Sequence, residues 1–288
     1  MRILDRKEIE VEASTTTIDV AEEAFPDARQ DAIRRPAGFE FELPIGYVDE
    51  DGRVHRTAVL RKMTGRDEAI MADRRNRNSA ARMITELLSS CLVQMGALEG
   101  PSTQVAQSLY SADRYFLLLK LRAITFGPDM EATYSCPTCR ESQTLNEDLD
   151  HLEVRRFDGA GAPEEIVVEL EDGFYDRASG ETYHTAVFCH PTGVDEEKVT
   201  AVTRENPSLG KNALMARCLV AFGDIPKSRL EALGSGIFNE LTLGDRSRID
   251  HSLNDNAPGV TMRRDLTCNA CGRQFEATLD LSNFLTPS

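Results

Sequence analysis

Two cysteine pairs of identical spacing, Cys136-Pro137-Thr138-Cys139 and Cys268-Asn269-Ala270-Cys271, constrain this chain more than any other feature. A C-x2-C lets one tight turn present two sulfurs to a single ion. The pairs stand 132 positions apart, too far for a compact zinc ribbon, yet they share a register. Asp113-Arg114, Gly127, Cys136, Cys139 and Asp148-Leu149 are matched without a gap by Asp245-Arg246, Gly259, Cys268, Cys271 and Asp280-Leu281. Upstream, residues 52–68 set against 180–196 give eight identities in seventeen positions, at an offset of 128. They are Gly52/Gly180, Thr57/Thr185, Ala58/Ala186, Val59/Val187, Thr64/Thr192, Gly65/Gly193, Asp67/Asp195 and Glu68/Glu196. Ordinary residue frequencies give about one such identity by chance. One short indel reconciles the two offsets. The expectation is an internal duplication of a module of roughly 130 residues, a period longer than that of solenoid repeats. Each copy then carries half of one metal site.

At 288 residues and 41% apolar, the chain can bury a core in one or two domains. Its 33 Lys and Arg against 48 Asp and Glu leave a formal charge of −15. Such a surface repels phosphate, so no nucleic-acid partner is expected across a whole face. Trp is absent, which leaves little material for a platform that stacks bases or sugars. Residues 1–14 are charged and carry no secretion signal, and no apolar run approaches the ~20 residues of a membrane span. The expected setting is therefore the cytosol, where disulfides are disfavoured and paired cysteines point to metal or redox chemistry. Cys91 and Cys218 sit in apolar helical patterns and read as buried, inert thiols.

The chain reads as α+β: two pseudo-symmetric modules, each a β-hairpin, helices and a CxxC knuckle, joined at a shared four-cysteine zinc site. The expected divisions are a flexible arm over 1–35, a first module over 36–157, a linker over 158–165 and a second module over 166–288. In the first module, strands flank the acidic turn Asp49-Glu50-Asp51-Gly52, and Thr64 caps a helix with Asp67 and Glu68 in its first turn. A helical pattern then runs from Ala80 through Met95 to a stop at Gly96. Ser111 is placed as the cap of the next helix, with consecutive Leu117, Leu118 and Leu119 implying burial almost all round. Asp113, Arg114 and Arg122 beside that surface need partners, and structural ion pairs are the expected ones. The second module repeats the order: a hairpin over 166–188, a helix from Thr192 interrupted at Asn206-Pro207, and another over 209–222. The helix over 245–253 is much more polar than its leucine-rich counterpart.

Four thiolates suit tetrahedral zinc with no open position, so Cys136, Cys139, Cys268 and Cys271 make a structural rather than catalytic site. Metal-binding energy becomes folding energy in such a site. Three alternatives stand beside it. Each pair could be a redox C-x-x-C; the pairs could bind two metals, completed by His151, His184 or Cys189-His190; or they could hold none. No Walker loop, G-x-G-x-x-G, H-E-x-x-H or triad is legible, so no catalytic residue is assigned and no enzyme or small-molecule substrate is expected.

An ordered series of residues resembles the T4-type bacteriophage baseplate protein family, found in contractile tails and contractile injection systems. It comprises Leu43-Pro44 to Gly46-Tyr47, Asp51-Gly52, Thr64-Gly65-x-Asp67-Glu68, Asp113 to Arg122, Phe126-Gly127 and the two cysteine pairs, on to Phe284. The resemblance implies a non-enzymatic component of the baseplate or central hub, or a factor assisting hub assembly. Its implied partners are other baseplate, hub and tail-tube subunits, and its implied location is the cytoplasm during assembly and then the virion or injection-system particle. Residues 1–35 and the segment 279–288, with Phe284-Leu285, are the expected contact regions. Two rival classes remain: a zinc-dependent nucleic-acid-binding regulator and a thiol redox protein.

Overall fold

Strong β-formers on either side of the Asp49–Gly52 turn build the first hairpin, β1 (Phe39–Val48) and β2 (Val54–Leu60). The computed structural model describes residues 38–76, 78–255 and 257–279. The arm over 1–35, the contact segment beyond Leu279 and the Asp280-Leu281 match lie outside the described residues. Thr64 starts α1 (Gly65–Ala72) through a capping box: the Asp67 carboxylate accepts from the Thr64 backbone N–H and hydroxyl. Ser79 then caps α2 (Ala80–Cys91) by accepting from the Arg82 N–H, so α1 and α2 are separate helices.

The helix expected to run through Met95 stops at Cys91. Leu92–Met95 is a strand, β3, paired with β2, followed by the short β4 (Leu98–Glu99). After α3 (Thr103–Ser108), α4 (Ser111–Phe126) begins with Tyr110, not Ser111, at its cap position. Leu117, Leu118 and Leu119 are all buried, as their run implied. A hairpin of β5 (Asp129–Ser135) and β6 (Ser142–Asp148) carries the first cysteine pair, and the short β7 (Val154–Arg155) follows.

The second half restates this order. β8 (Ile166–Asp176) and β9 (Glu181–Phe188) form a hairpin, and Thr192 opens α5 (Gly193–Glu205) with the same capping box, through Asp195. Asn206 caps α6 (Pro207–Cys218), with Pro207 in its first turn. The expected helix over 209–222 ends at Cys218, and Leu219–Phe222 is a strand, β10, paired with β9. Then come α7 (Lys227–Leu233), α8 (Gly236–Glu240) and α9 (Leu243–Asn254). The short β11 (Gly259–Val260) pairs with β7, and β12 (Arg263–Thr267) with β13 (Gln274–Thr278) makes the last hairpin.

The two halves agree in detail. The end of β2 donates from Arg61 N to Cys91 O at 2.9 Å, and the end of β9 from Cys189 N to Cys218 O at 2.8 Å. Gly96 N reaches Thr57 O at 2.7 Å, and Gly223 N reaches Thr185 O at 2.8 Å. β1 and β8 each bulge, between Glu42 and Tyr47 and between Glu169 and Phe174. In each case the freed N–H groups are capped by the aspartate of the later helix. Asp113 accepts from Ile45 N and Gly46 N at 2.8 and 2.9 Å; Asp245 accepts from Glu171 N, Asp172 N and Gly173 N at 2.7, 3.0 and 2.8 Å. Neither Asp113 nor Asp245 therefore depends on an ion pair to be satisfied.

Two apolar cores result. One gathers α2, α4 and the first sheet, and it also takes in Phe275 and Leu279 of the C-terminal hairpin region. The other packs Phe174, Phe188, Phe222, Phe238 and Ile249. At ~25 cal/mol per Å² of apolar area, burial of these side chains is the main favourable contribution in each. Between them Arg114, fully buried, donates to Glu196 of α5 at 3.2 Å and also to Thr85 Oγ1 and the Ala106 and Ala81 carbonyls. This is the expected partner for Arg114, supplied from the other half.

Candidate metal centre

Each cysteine pair occupies a knuckle between two antiparallel strands. Alternation sets up the first hairpin: Met130, Ala132 and Tyr134 of β5 face inward while their neighbours face water. At its tip Cys136 N donates to Glu141 O and Arg140 N to Cys136 O, both at 2.9 Å. At the tip of the last hairpin Cys268 N donates to Arg273 O and Gly272 N to Cys268 O, again both at 2.9 Å. The residue after each second cysteine lies in the left-handed region, with φ of 63° at Arg140 and 71° at Gly272. Glycine adopts that conformation without strain; Arg140 pays about 1 kcal/mol or more for its Cβ.

The structure brings the two knuckles tip to tip. Cys136 Sγ lies 3.8 Å from Cys271 Sγ, and Cys139 Sγ lies 3.5 Å from Cys268 Sγ. All four sulfurs fall within 4.8 Å of one another. A tetrahedron with Zn–S near 2.3 Å has S···S edges of about 3.8 Å, so the donor set fits one four-coordinate ion. Cys136 and Cys268 are buried while Cys139 and Cys271 face solvent, which leaves a path for the ion. Four thiolates are the donor set of zinc or of iron–sulfur chemistry, not of a hard cation.

Electrostatics within each knuckle favour the thiolate. The Cys139 backbone N–H, with that of Thr138, pulls the Cys136 thiol down to about 6. The Cys271 N–H, with that of Ala270, likewise lowers Cys268. Against the Glu141 N–H, which lowers it, contact with Cys268 pushes Cys139 up to about 12. Four sulfurs this close cannot all ionise without a cation, so filling the site releases protons.

A second layer fixes the knuckles to each other. Gln143 of β6 donates to Thr267 O at 3.3 Å and accepts from Asn269 N at 3.0 Å. Glu147 accepts from Tyr134 Oη at 2.6 Å and from Arg264 Nε at 3.0 Å, which ties β12 to the first hairpin. Nothing in the sequence marked Gln143, Glu147 or Arg264, because their spacing is unremarkable until the hairpins meet. The other histidine and cysteine candidates are elsewhere. His151 is exposed and pairs with Asp148, His184 Nδ1 lies 3.3 Å from Leu170 O, and Cys189 stands beside Cys218 at the β9–β10 junction. Among the described residues the four cysteines are the single group of metal-binding side chains placed to share an ion. The acidic turn is occupied by its own chain, since Asp49 accepts from Asp51 N, Arg53 N and the His55 ring.

A cavity of about 660 Å³ lies where the halves meet, lined by Tyr110, Ser111, Tyr115, His190, Leu253 and Met262 among others. Burial lowers His190, and Tyr110 packs edge-on against it with centroids 6.4 Å apart. The sequence did not point to this cavity, whose walls come from five separate stretches.

The knuckles are strand–turn–strand units, whereas a thioredoxin-type C-x-x-C opens a helix. No helix among the described residues is long and apolar enough to cross a membrane. In comparison with known proteins, a family model described as T4 bacteriophage base plate protein matches residues 38–286. Comparisons with curated proteins and with solved structures give no match.

Proposed function

The chain belongs to the T4 bacteriophage base plate protein family, and from that premise we propose that it is a non-enzymatic structural or assembly component of a contractile machine's baseplate or central hub. The machine is a contractile phage tail or a contractile injection system. In this reading Cys136, Cys139, Cys268 and Cys271 bind one structural zinc per chain, which locks the C-terminal hairpin to the first core. The ion supplies cross-linking only, because four protein sulfurs leave no position for water or substrate. The observation that carries the metal reading is the convergence of four sulfurs within 4.8 Å from turns 132 residues apart in sequence.

The chain arose, in the same reading, by duplication of one module, with units at 36–157 and 166–288 joined over 158–165. The matched bulges, capping boxes and strand junctions of the two halves support it. Its partners are other baseplate, hub and tail-tube subunits, met in the cytoplasm during assembly and kept in the particle. No nucleic acid or small-molecule substrate enters the account. The test is purification of native tail or injection particles followed by peptide identification. Recovery of this chain with tail components is the expected result, and its absence from both particles and their assembly intermediates contradicts the proposal.

A further inference from the structure

The same five-residue motif, Thr-Gly-x-Asp-Glu, opens both α1 and α5, but only in α5 do its glycine and its glutamate meet another part of the chain. In α5 Gly193 is buried, and a Cβ there would stand 2.3 Å from Arg114 Nη1, so only glycine admits the guanidinium. Gly193 N donates to Leu109 O, Ser111 N donates to Pro191 O, and Glu196 accepts from Arg114 Nε. In α1 Thr64, Gly65 and Glu68 are all exposed, nothing lies within 4 Å of a Cβ at Gly65, and Glu68 has no partner among the described residues.

The receiving face is also present twice. Arg114 donates to Thr85 Oγ1 and Ala81 O of α2; at the matching place Arg246 donates to Asn212 Oδ1 and Ser208 Oγ of α6, at 2.7 and 3.3 Å. The Arg246 Nε, counterpart of the atom that meets Glu196, is buried without an acceptor. Beside it, Leu243 is 78% exposed, where the corresponding Ser111 is covered by Pro191. One face lacks its carboxylate, and one helix end offers an unused carboxylate on the correct motif.

We propose that these two surfaces bind each other between copies of this chain: the α1 end of one copy docks on the Arg246 face of the next, with Glu68 accepting from Arg246. The contact repeats the one that α5 already makes on Arg114, and it rests on reading the chain as a duplicated module. It is head-to-tail, so it builds a ring where the rotation closes and an open string where it does not. An acidic carboxylate meeting an unsatisfied guanidinium provides the charge complementarity that fixes register.

The test is sedimentation velocity of the full-length, metal-loaded chain over a wide concentration range, with charge-swapped variants. Wild type should self-associate, and Glu68→Arg and Arg246→Glu alone should each weaken association by about 100-fold or more, since like charges then face each other. An equimolar mixture of the two variants should restore it, because every junction again pairs opposite charges. Glu68 is exposed, so Glu68→Arg tests the contact even where Arg246→Glu disturbs folding. Wild type that stays monomeric throughout overturns the proposal, as does association that neither variant weakens or that the mixture fails to restore. A chain recovered from tail particles but monomeric alone keeps the baseplate reading and loses this contact; a self-associating chain absent from particles does the reverse.

Discussion

At the first turn of α1, Asp67 is fully buried and gripped from the end of β2 by Arg61, at 2.7 and 3.0 Å, with Ser90 adding a third bond at 2.6 Å. At the first turn of α5, Asp195 is met instead from the end of α6 by Arg217, at 2.8–2.9 Å, and the place of Arg61 is taken by Cys189. The arginine comes from a strand end in one half and from a helix end in the other, while the carboxylate, the capping box and the backbone junction are common to both. What the backbone requires at a helix start is a satisfied carboxylate; which residue satisfies it is free to change. Cys189 and Cys218 meet at that junction, where Cys189 N donates to Cys218 O at 2.8 Å.

The largest effect that can break this comparison lies where the halves share one device. Cys136→Ser and Cys268→Ser should destabilise the metal-loaded chain about equally, each by about 3–5 kcal/mol, a fraction of the ~10–16 kcal/mol of a structural zinc in small peptides. Thermal unfolding with and without a chelator measures it; if one substitution matters and the other does not, the knuckles do not serve the same ion. Next, Arg114→Ala should cost about 3–5 kcal/mol, because it strands Glu196 and three further acceptors at a buried site. Arg246→Ala, which releases two bonds at a half-exposed site, should cost about 1–2 kcal/mol. Equal losses in urea titrations would mean that the inter-half pair is no stronger than a local one.

Smaller effects sharpen the contrast. Arg61→Ala, which leaves Asp67 buried without its cation, should cost about 3 kcal/mol, whereas Arg217 is about one-third exposed and its removal should cost under about 1 kcal/mol. The two capping aspartates should differ in pH response. Burial, only partly offset by the Ile45 and Gly46 N–H groups, raises Asp113 to about 6. Its folded value lies above its unfolded one, so its contribution is present in acid and lost as pH rises from about 4 through about 6. Against a burial that raises it, three N–H groups and Arg248 hold Asp245 below the ordinary range, so its contribution is lost as pH falls. Relative to wild type, Asp113→Asn should therefore gain about 2–3 kcal/mol across that window as pH rises. A flat difference would show that Asp113 is not perturbed.

The knuckles, hairpins, helix starts at Thr64 and Thr192 and repeated order were legible because each depends on residues close in sequence: two cysteines on one turn, a threonine just ahead of a helix. The ends of α2 and α6 were not. Leu92 and Met95 continue the apolar spacing of α2 and Leu219 and Phe222 that of α6, so the switch from helix to strand leaves no mark in periodicity. Only pairing with β2 and β9, respectively, decides it. The need of Arg114 for a carboxylate was readable from its apolar surroundings, but its partner stands 82 residues away and nothing local singles it out. Likewise the C-terminal hairpin joins the first core through Phe275 and the Gln143 bridge, contacts that exist only after both hairpins form.

Native mass spectrometry of the full chain, with metal content by elemental analysis, tests the central claim most directly. One zinc per chain, displaced on acidification and lost to the same extent in Cys136→Ser and Cys268→Ser, is the predicted result. No metal, two ions per chain, a coloured iron centre in place of zinc, or full zinc retention in either variant would contradict it.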